Sequence, residues 1–99
     1  MNISKKNIDK IRELCKLYKV KRFSVFGSVL KDNFTPQSDI DFAVDFEEND
    51  PFTYADLYFE LKEQLENLFN RDIDLIEERA IKNPYFRKEL EETSYLIYG

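Results

Sequence analysis

The N-terminal segment repeats apolar residues at the spacing of a helix. Charged and polar residues fill the positions between them, so the apolar side chains fall on one face. Ser4 precedes the repeat, where its hydroxyl can accept a hydrogen bond from the first turn. Residues 4–18 are therefore predicted to form an amphipathic helix, whose apolar face consists of Ile8, Ile11, Leu14, Cys15 and Tyr18.

Two segments with the features of β-strands follow. Residues 20–27, VKRFSVFG, are rich in β-branched and aromatic residues and end at a glycine, as a buried strand that enters a tight turn would. After a loop that contains Pro36, the segment SDIDFAVDF alternates between an apolar face, which we expect in the core, and a face for chemistry or solvent. The apolar face carries Ile40, Phe42, Val44 and Phe46, and the other face carries Asp39, Asp41, Ala43 and Asp45.

The second half of the chain predicts two helices around a third strand. An Asp-Pro pair at 50–51 is a typical helix start, and leucines at helical spacing continue this helix to about Asn70. RDIDLIEE is typical of a strand, and an Asn-Pro pair at 83–84 opens a short helix to about Glu92. The final SYLIYG fits either a turn or an edge strand. This order predicts a small α/β fold with a three-stranded, mixed sheet and flanking helices.

Composition limits the class of protein. The 99 residues are 42% hydrophobic and 35% charged, which indicates a compact globular protein. A chain of this length holds one core, so residues 1–99 are expected to form a single domain that works with a partner. No stretch approaches the roughly 20 apolar residues of a membrane span, and MNISKKNIDK lacks the apolar stretch of a signal peptide. We therefore expect a cytoplasmic protein without a membrane partner.

Charge and residue types narrow the chemistry. The chain has no histidine, which removes the commonest general base and the usual zinc ligands. Its single cysteine, Cys15, lies among apolar helix positions and is expected to be a buried core residue. Any bound metal is then a hard ion held by oxygen. A formal net charge of −5 argues against nucleic acid as the main partner, because Lys and Arg supply most of that affinity. It favours a basic protein, or a nucleotide carried with Mg²⁺.

The Gly27-Ser28 pair stands where the first strand ends. Backbone N–H groups of a turn at this point can face an anion, and the serine hydroxyl can donate a further bond. Glycine also permits a close approach that a side chain would block. The pair is therefore a candidate phosphate site, although a plain turn explains a lone Gly-Ser as well.

Three aspartates form the candidate metal site. Asp39 and Asp41 share one face of the second predicted strand, where two carboxylates repel each other unless a cation lies between them. Mg²⁺ prefers one or two carboxylates together with phosphate oxygens. Asp74 lies on the third predicted strand and can complete a site for two ions. The alternative is a solvated face of ordinary surface acids.

The order of these motifs resembles the nucleotidyltransferase superfamily that includes DNA polymerase beta. That order is Gly-Ser, a loop, Ser-Asp-x-Asp on a strand, a long helix, and Asp-Leu on a third strand. The chain looks like the minimal, stand-alone members, the MNT-type antitoxins paired with HEPN toxins in prokaryotic toxin–antitoxin operons. The resemblance covers nearly the whole chain, including LKEQLENLFNRDIDLIEE and PYFRKELEETSYLIYG.

The resemblance implies a role for each motif residue. Four residues would bind the ATP substrate: Gly27, Ser28, Lys31 and Ser38. Three residues would bind two Mg²⁺ ions and form the catalytic set: Asp39, Asp41 and Asp74. Of these, Asp74 would bind the second ion and help to activate the attacking hydroxyl.

The sequence departs from the family pattern just after Ser28. Such proteins usually continue with an arginine-rich turn that resembles GSRARG, whereas this chain has GSVLKDNF. Lys31 stands where the arginine would be and lacks the planar fork that suits phosphate. Asp32 replaces a glycine and adds negative charge near the expected triphosphate. The departure bears on catalytic strength and not on the fold.

Two functions follow from the resemblance. In the first, the protein is a Mg²⁺-dependent nucleotidyltransferase that silences a HEPN ribonuclease toxin by transferring AMP from ATP to one of its tyrosine hydroxyls. In the second, it is a catalytically weak antitoxin that neutralises the toxin by binding and occlusion, which the GSVLKD turn favours. A third function, adenylylation of an antibiotic, ranks low because it needs an additional substrate domain.

Overall fold

The computed structural model describes residues 3–30, 35 and 38–99, and places helices against a four-stranded sheet. The helices are α1 (Lys5–Leu17), α2 (Pro51–Phe69) and α3 (Pro84–Thr93). The strands are β1 (Val20–Phe26), β2 (Ile40–Phe46), β3 (Ile73–Glu77) and β4 (Tyr95–Tyr98). Short 3₁₀ turns follow β1 and β3, at Gly27–Leu30 and Glu78–Ala80.

The helices begin at the predicted capping residues. Ser4 Oγ accepts a hydrogen bond from Asn7 N at 3.2 Å at the start of α1. Asp50 Oδ2 accepts from Thr53 N at 2.9 Å at the start of α2, and Asn83 caps α3 in the same way. These side chains satisfy N–H groups that have no partner within the helix. Local chemistry therefore fixes where each helix starts.

The sheet is mixed, as predicted, and its strand order is β3-β2-β1-β4. Strand β1 is antiparallel to β2 and to β4, whereas β2 is parallel to β3. The predicted number of three strands is wrong, because Tyr95–Tyr98 adds a fourth strand along the free edge of β1. Arg12 Nε of α1 also donates to Ile97 O of β4 at 3.1 Å. A four-residue segment shows too little alternation to separate a turn from an edge strand, so this pairing decides its structure.

The apolar face of β2 forms the centre of the core, as predicted. Phe42 is fully buried, with its ring centroid 4.9 Å from that of Phe23 and 6.0 Å from that of Phe69. Cys15 is buried in the same core, and burial raises the pKa of its thiol to about 12, which agrees with the predicted core role. Among the described residues, no helix has the length and apolar character needed to cross a membrane.

The other face of the sheet carries the acids and is partly covered by α3. Asp41 and Asp45 of β2 are half-buried there. Leu90 of α3 is buried and lines small cavities together with Ser24 and Phe26 of β1. Helix α3 therefore lies over the β1 side of this face.

Candidate active site

Gly27 is the first residue after β1 and lies directly against the carboxylate of Asp41. Its φ of +81° lies in the left-handed region that side chains disfavour. A Cβ atom at this position would overlap Asp41 Oδ2 and lie 3.3 Å from Asp41 Cγ. Backbone conformation and close approach both require glycine here. The following turn is held by Val29, which is fully buried.

Asp41 and Asp74 are direct neighbours on parallel strands. They are paired in the β2–β3 register, so their side chains leave the same face of the sheet. Burial raises the pKa of Asp41, and the negative charges of Asp74 and Asp39, with a hydrogen bond to Asp74, raise it further. Asp41 is therefore a half-buried carboxyl that lies beside Gly27 and has two other acids near it.

Asp39 lies just outside β2, which begins at Ile40, rather than on the strand as predicted. Its side chain is exposed, and its charge still contributes to the raised pKa of Asp41. In the part of the chain that the structure describes, no three Asp, Glu, Cys or His side chains are grouped as a metal site. The paired carboxylates of Asp41 and Asp74 fit Mg²⁺, since this ion takes one or two carboxylates and completes its shell with substrate oxygens. The three-carboxylate site for two ions stays a prediction.

The predicted nucleotide-binding residues are described in part. Ser28 lies in the Gly27–Leu30 turn, but its side chain is not among the described features, and Lys31 lies outside the described residues. Ser38 Oγ accepts a hydrogen bond from Thr35 N at 3.2 Å and is 3.1 Å from Thr35 Oγ1. The Ser38 hydroxyl therefore helps to close the segment before Asp39, and its contact with a nucleotide stays a prediction.

Sequence reasoning missed Arg71, which anchors the segment that leads into Asp39. Its Nη1 donates to Ser38 O at 2.9 Å and to Thr35 O at 3.3 Å. Arg71 lies two residues before β3, and β3 runs parallel to β2. The first residues of β2 and β3 therefore lie next to each other at the same end of the sheet. Only the parallel pairing brings this arginine to Ser38, so the local sequence carried no signal for it.

Asp45 shares the acidic face with Asp41 but is occupied by Arg79. Asp45 Oδ1 lies 2.9 Å from Arg79 Nη2 and accepts from Arg79 Nε at 3.0 Å. The Arg79 guanidinium also donates to Phe46 O at 2.8 Å and lies 4.2 Å from the ring centroid of Tyr54. Asp45 is therefore part of a structural contact between β2, α2 and the turn after β3, and does not belong to the candidate site.

Comparison with known sequences finds one family over most of the chain. The profile of the nucleotidyltransferase domain matches residues 8–96. A protein of Methanocaldococcus jannaschii, provisionally named a protein adenylyltransferase, is 43% identical over 81 residues, which are 82% of this chain and 78% of that protein. The protein adenylyltransferase MntA of Thermococcus cleftensis is 32% identical over 85 residues, which are 86% of this chain and 83% of MntA.

Solved structures share the fold. A structure described as a minimal nucleotidyltransferase superposes with a TM-score of 0.76 at 28% identity, over 91% of this chain and 88% of that one. A toxin–antitoxin structure with AMP-PNP gives a TM-score of 0.72 at 24% identity, over 94% and 73% of the two chains. A complex of the tri-AMPylated Shewanella oneidensis HEPN toxin with its MNT antitoxin gives 0.67 at 23% identity, over 98% and 73%.

Proposed function

This chain belongs to the nucleotidyltransferase domain family, and from that membership we propose that it transfers AMP from ATP to a tyrosine hydroxyl of a partner HEPN toxin. The observation that carries the proposal is the carboxylate pair of Asp41 and Asp74 beside the side-chain-free Gly27. That arrangement suits an ion-bound triphosphate, because the acids attract the ion and Gly27 leaves room for the Asp41 carboxylate next to the turn. Modification of the toxin makes the protein an antitoxin.

Asp41 and Asp74 would hold Mg²⁺, with Asp39 beside them as part of a site for two ions. Bound Mg²⁺ supplies positive charge that neutralises the triphosphate and lowers the pKa of an attacking hydroxyl. Asp74 is exposed at the outer strand of the sheet, where a hydroxyl of another protein can reach it and pass its proton to the carboxylate. Gly27, with its left-handed backbone, begins the turn whose backbone N–H groups would bind the phosphates.

The reaction is a substitution at the α-phosphate of ATP. A bond forms between the tyrosine oxygen and the α-phosphorus, the bond from that phosphorus to the bridging oxygen of the β-phosphate breaks, and pyrophosphate leaves. The tyrosine proton passes to Asp74. Because all three acids and the triphosphate are negative, the chain's own residues repel free ATP, and binding requires the cation. An ATP-dependent reaction of this kind belongs in the cytoplasm.

Two comparisons support the choice of acceptor. The Thermococcus relative carries the name protein adenylyltransferase MntA at 32% identity, which supports a protein as the substrate. The same fold also occurs in an MNT antitoxin that is bound to a tri-AMPylated HEPN toxin. A single minimal domain that acts on a separate toxin accords with both.

The test compares transfer with binding. The double variant D39N/D41N removes charge at the site and preserves side-chain volume, so we expect it to bind a HEPN toxin from the neighbouring reading frame. ATP labelled at the α-phosphate should mark the toxin with the wild type and not with the double variant. Asp56→Asn, an exposed change on α2, is the matched control and should label normally. Full neutralisation of the toxin by both wild type and D39N/D41N, without any label, would support occlusion instead.

A further inference from the structure

A cavity of about 150 Å³ opens beside Gly27, on the β1 side of the acidic pair. The apolar residues that line it are Phe26, Leu30 and Leu90, and the polar lining residues are Glu89 and Thr93 of α3. Phe26 is paired with Asp41 in the β1–β2 register, so the cavity and the carboxylates share one face of the sheet. Since Gly27 borders both, the cavity is continuous with the candidate active site.

We propose that this cavity holds the nucleobase of the donor ATP, an inference that rests on the proposed function. A cavity of about 150 Å³ matches an engineered apolar cavity that binds benzene, so it accepts one ring of the purine while the second ring lies towards the opening. Phe26 is half-buried, so part of its ring faces the open space and can contact the face of a base. Contacts between bases and aromatic rings are favourable for every base. The pocket therefore contributes affinity for the half of ATP that the carboxylates do not contact.

The cavity does not suit the phosphates of ATP or the acceptor tyrosine. Phosphates would lose hydration against the apolar walls and would meet the negative charge of Glu89. The acceptor tyrosine approaches Asp74 on β3, and β2 separates β3 from β1. A base suits both the apolar walls and the Glu89 carboxylate, which can accept a hydrogen bond from an exocyclic amino group. The Glu89 carbonyl already accepts a hydrogen bond from Thr93 Oγ1 at 2.7 Å, so we assign the contact with the amino group to the Glu89 carboxylate.

Filling the cavity tests the proposal in the intact protein. Thr93 is exposed and lines the cavity, so Thr93→Trp introduces a large ring without removing a core side chain. Glu92→Trp is the matched control, because it places the same ring at an exposed position of α3 that does not line this cavity. Calorimetry should measure the affinity of each variant for ATP and for inorganic tripolyphosphate, both with Mg²⁺. Tripolyphosphate contains the phosphates and lacks the base.

We expect Thr93→Trp to weaken ATP binding by about tenfold or more, the scale of one lost base contact, and to leave tripolyphosphate binding unchanged. Glu92→Trp should bind both ligands as the wild type does. An equal loss for both ligands would place the triphosphate in the cavity, and unchanged ATP binding would place the base elsewhere; either result overturns the proposal. Failure of the wild type to bind ATP would overturn the proposed function as well, which separates the two claims.

A second variant tests the polar side of the pocket. Wild-type protein should prefer ATP over purine riboside triphosphate, which lacks the exocyclic amino group. Glu89→Ala should abolish that preference and retain binding of tripolyphosphate. A preference that persists in Glu89→Ala would remove Glu89 from the base contact and contradict this part of the assignment.

Discussion

Single residues at the site are constrained by more than one requirement at once. Gly27 must adopt a left-handed conformation, and it must also leave room for the Asp41 carboxylate. Asp41 lies beside two other acids; burial raises the pKa of Asp41, and the charges of Asp74 and Asp39 raise it further. Repulsion between acids adds no stability to the fold, so this arrangement accords with the proposed Mg²⁺.

Gly27→Ala should impair both stability and transfer. The left-handed backbone would cost about 1–3 kcal/mol with a side chain present, and the new methyl group would displace the Asp41 carboxylate. Thermal unfolding and transfer of labelled AMP measure the two effects. Gly99→Ala is the control, because Gly99 is also left-handed (φ +119°) and lies against Lys21 and Arg22 of β1. It should leave transfer unchanged, and wild-type transfer by Gly27→Ala would contradict the proposed role of this glycine.

Arg71 acts as a positioning residue, since it holds the backbone before Asp39. Arg71→Ala should lower the transfer rate by about 10–100-fold, the usual effect of losing a partner that orients a metal ligand. Arg71→Lys keeps one donor group and should recover part of the rate. The Mg²⁺ concentration for half-maximal rate should rise in Arg71→Ala, whereas a purely structural role would lower the unfolding temperature alone.

At the scale of elements, capping residues define the helices and the parallel β2–β3 pair defines the site. Helix α2 packs on the apolar face of β2 through fully buried Leu61 and Leu65. Parallel strands need a long connection that returns the chain to the end of the sheet where the first strand began, whereas antiparallel strands can be joined by a short turn. Helix α2 provides this connection between β2 and β3. The position of Asp74 beside Asp41 therefore depends on where α2 begins and ends.

The start of α2 should respond to pH through Asp50. Hydrogen bonds from Thr53, backbone and side chain, lower the pKa of Asp50. A carboxyl group whose pKa is lower in the folded than in the unfolded protein stabilises the fold at pH values above its unfolded-state pKa. This stabilisation is lost as the pH falls through the folded-state pKa. Near neutral pH, Asp50→Asn should unfold at a lower temperature than the wild type, because it keeps an acceptor and loses the charge. The gap should close at acid pH, and a gap that widened there would contradict this account.

On the scale of the whole molecule, the negative net charge of the protein repels ATP, the proposed substrate. The chain carries a formal charge of −5, and the site adds local repulsion through three neighbouring acids. A polyanion such as ATP is therefore repelled at long range and at the site. A divalent cation reverses the local sign, so metal and nucleotide binding should be coupled.

ATP should stabilise the whole fold only when Mg²⁺ or Mn²⁺ is present. A ligand at a hundred times its Kd adds roughly 2.7 kcal/mol to the free energy of unfolding, which is a rise on the order of 10 °C in Tm for a domain of this size. Thermal unfolding with ATP and Mg²⁺, and with ATP and EDTA, measures the coupling. The D39N/D41N variant should show no rise in either condition. An equal rise with EDTA would mean that the acids do not form the metal site.

The sequence by itself determined the three helices and the first three strands, and it predicted the residues of the candidate site. Helix starts at Ser4, Asp50 and Asn83 were predictable because a cap interacts with N–H groups two or three residues away. The mixed sheet and the apolar face of β2 followed from the period of the pattern. The order of the motifs pointed to the family that the comparisons then established.

Only the tertiary structure decided which of these residues meet. Asp41 contacts Asp74 because of a parallel register, and Tyr95–Tyr98 becomes a strand because β1 has a free edge. The same packing pairs Asp45, which shares a strand face with Asp41, with Arg79, and it brings Arg71 to Ser38. These contacts join residues more than 30 positions apart. Periodicity and capping act within a few residues along the chain, so they carry no information about such pairs, which the packing of the helices on the sheet selects.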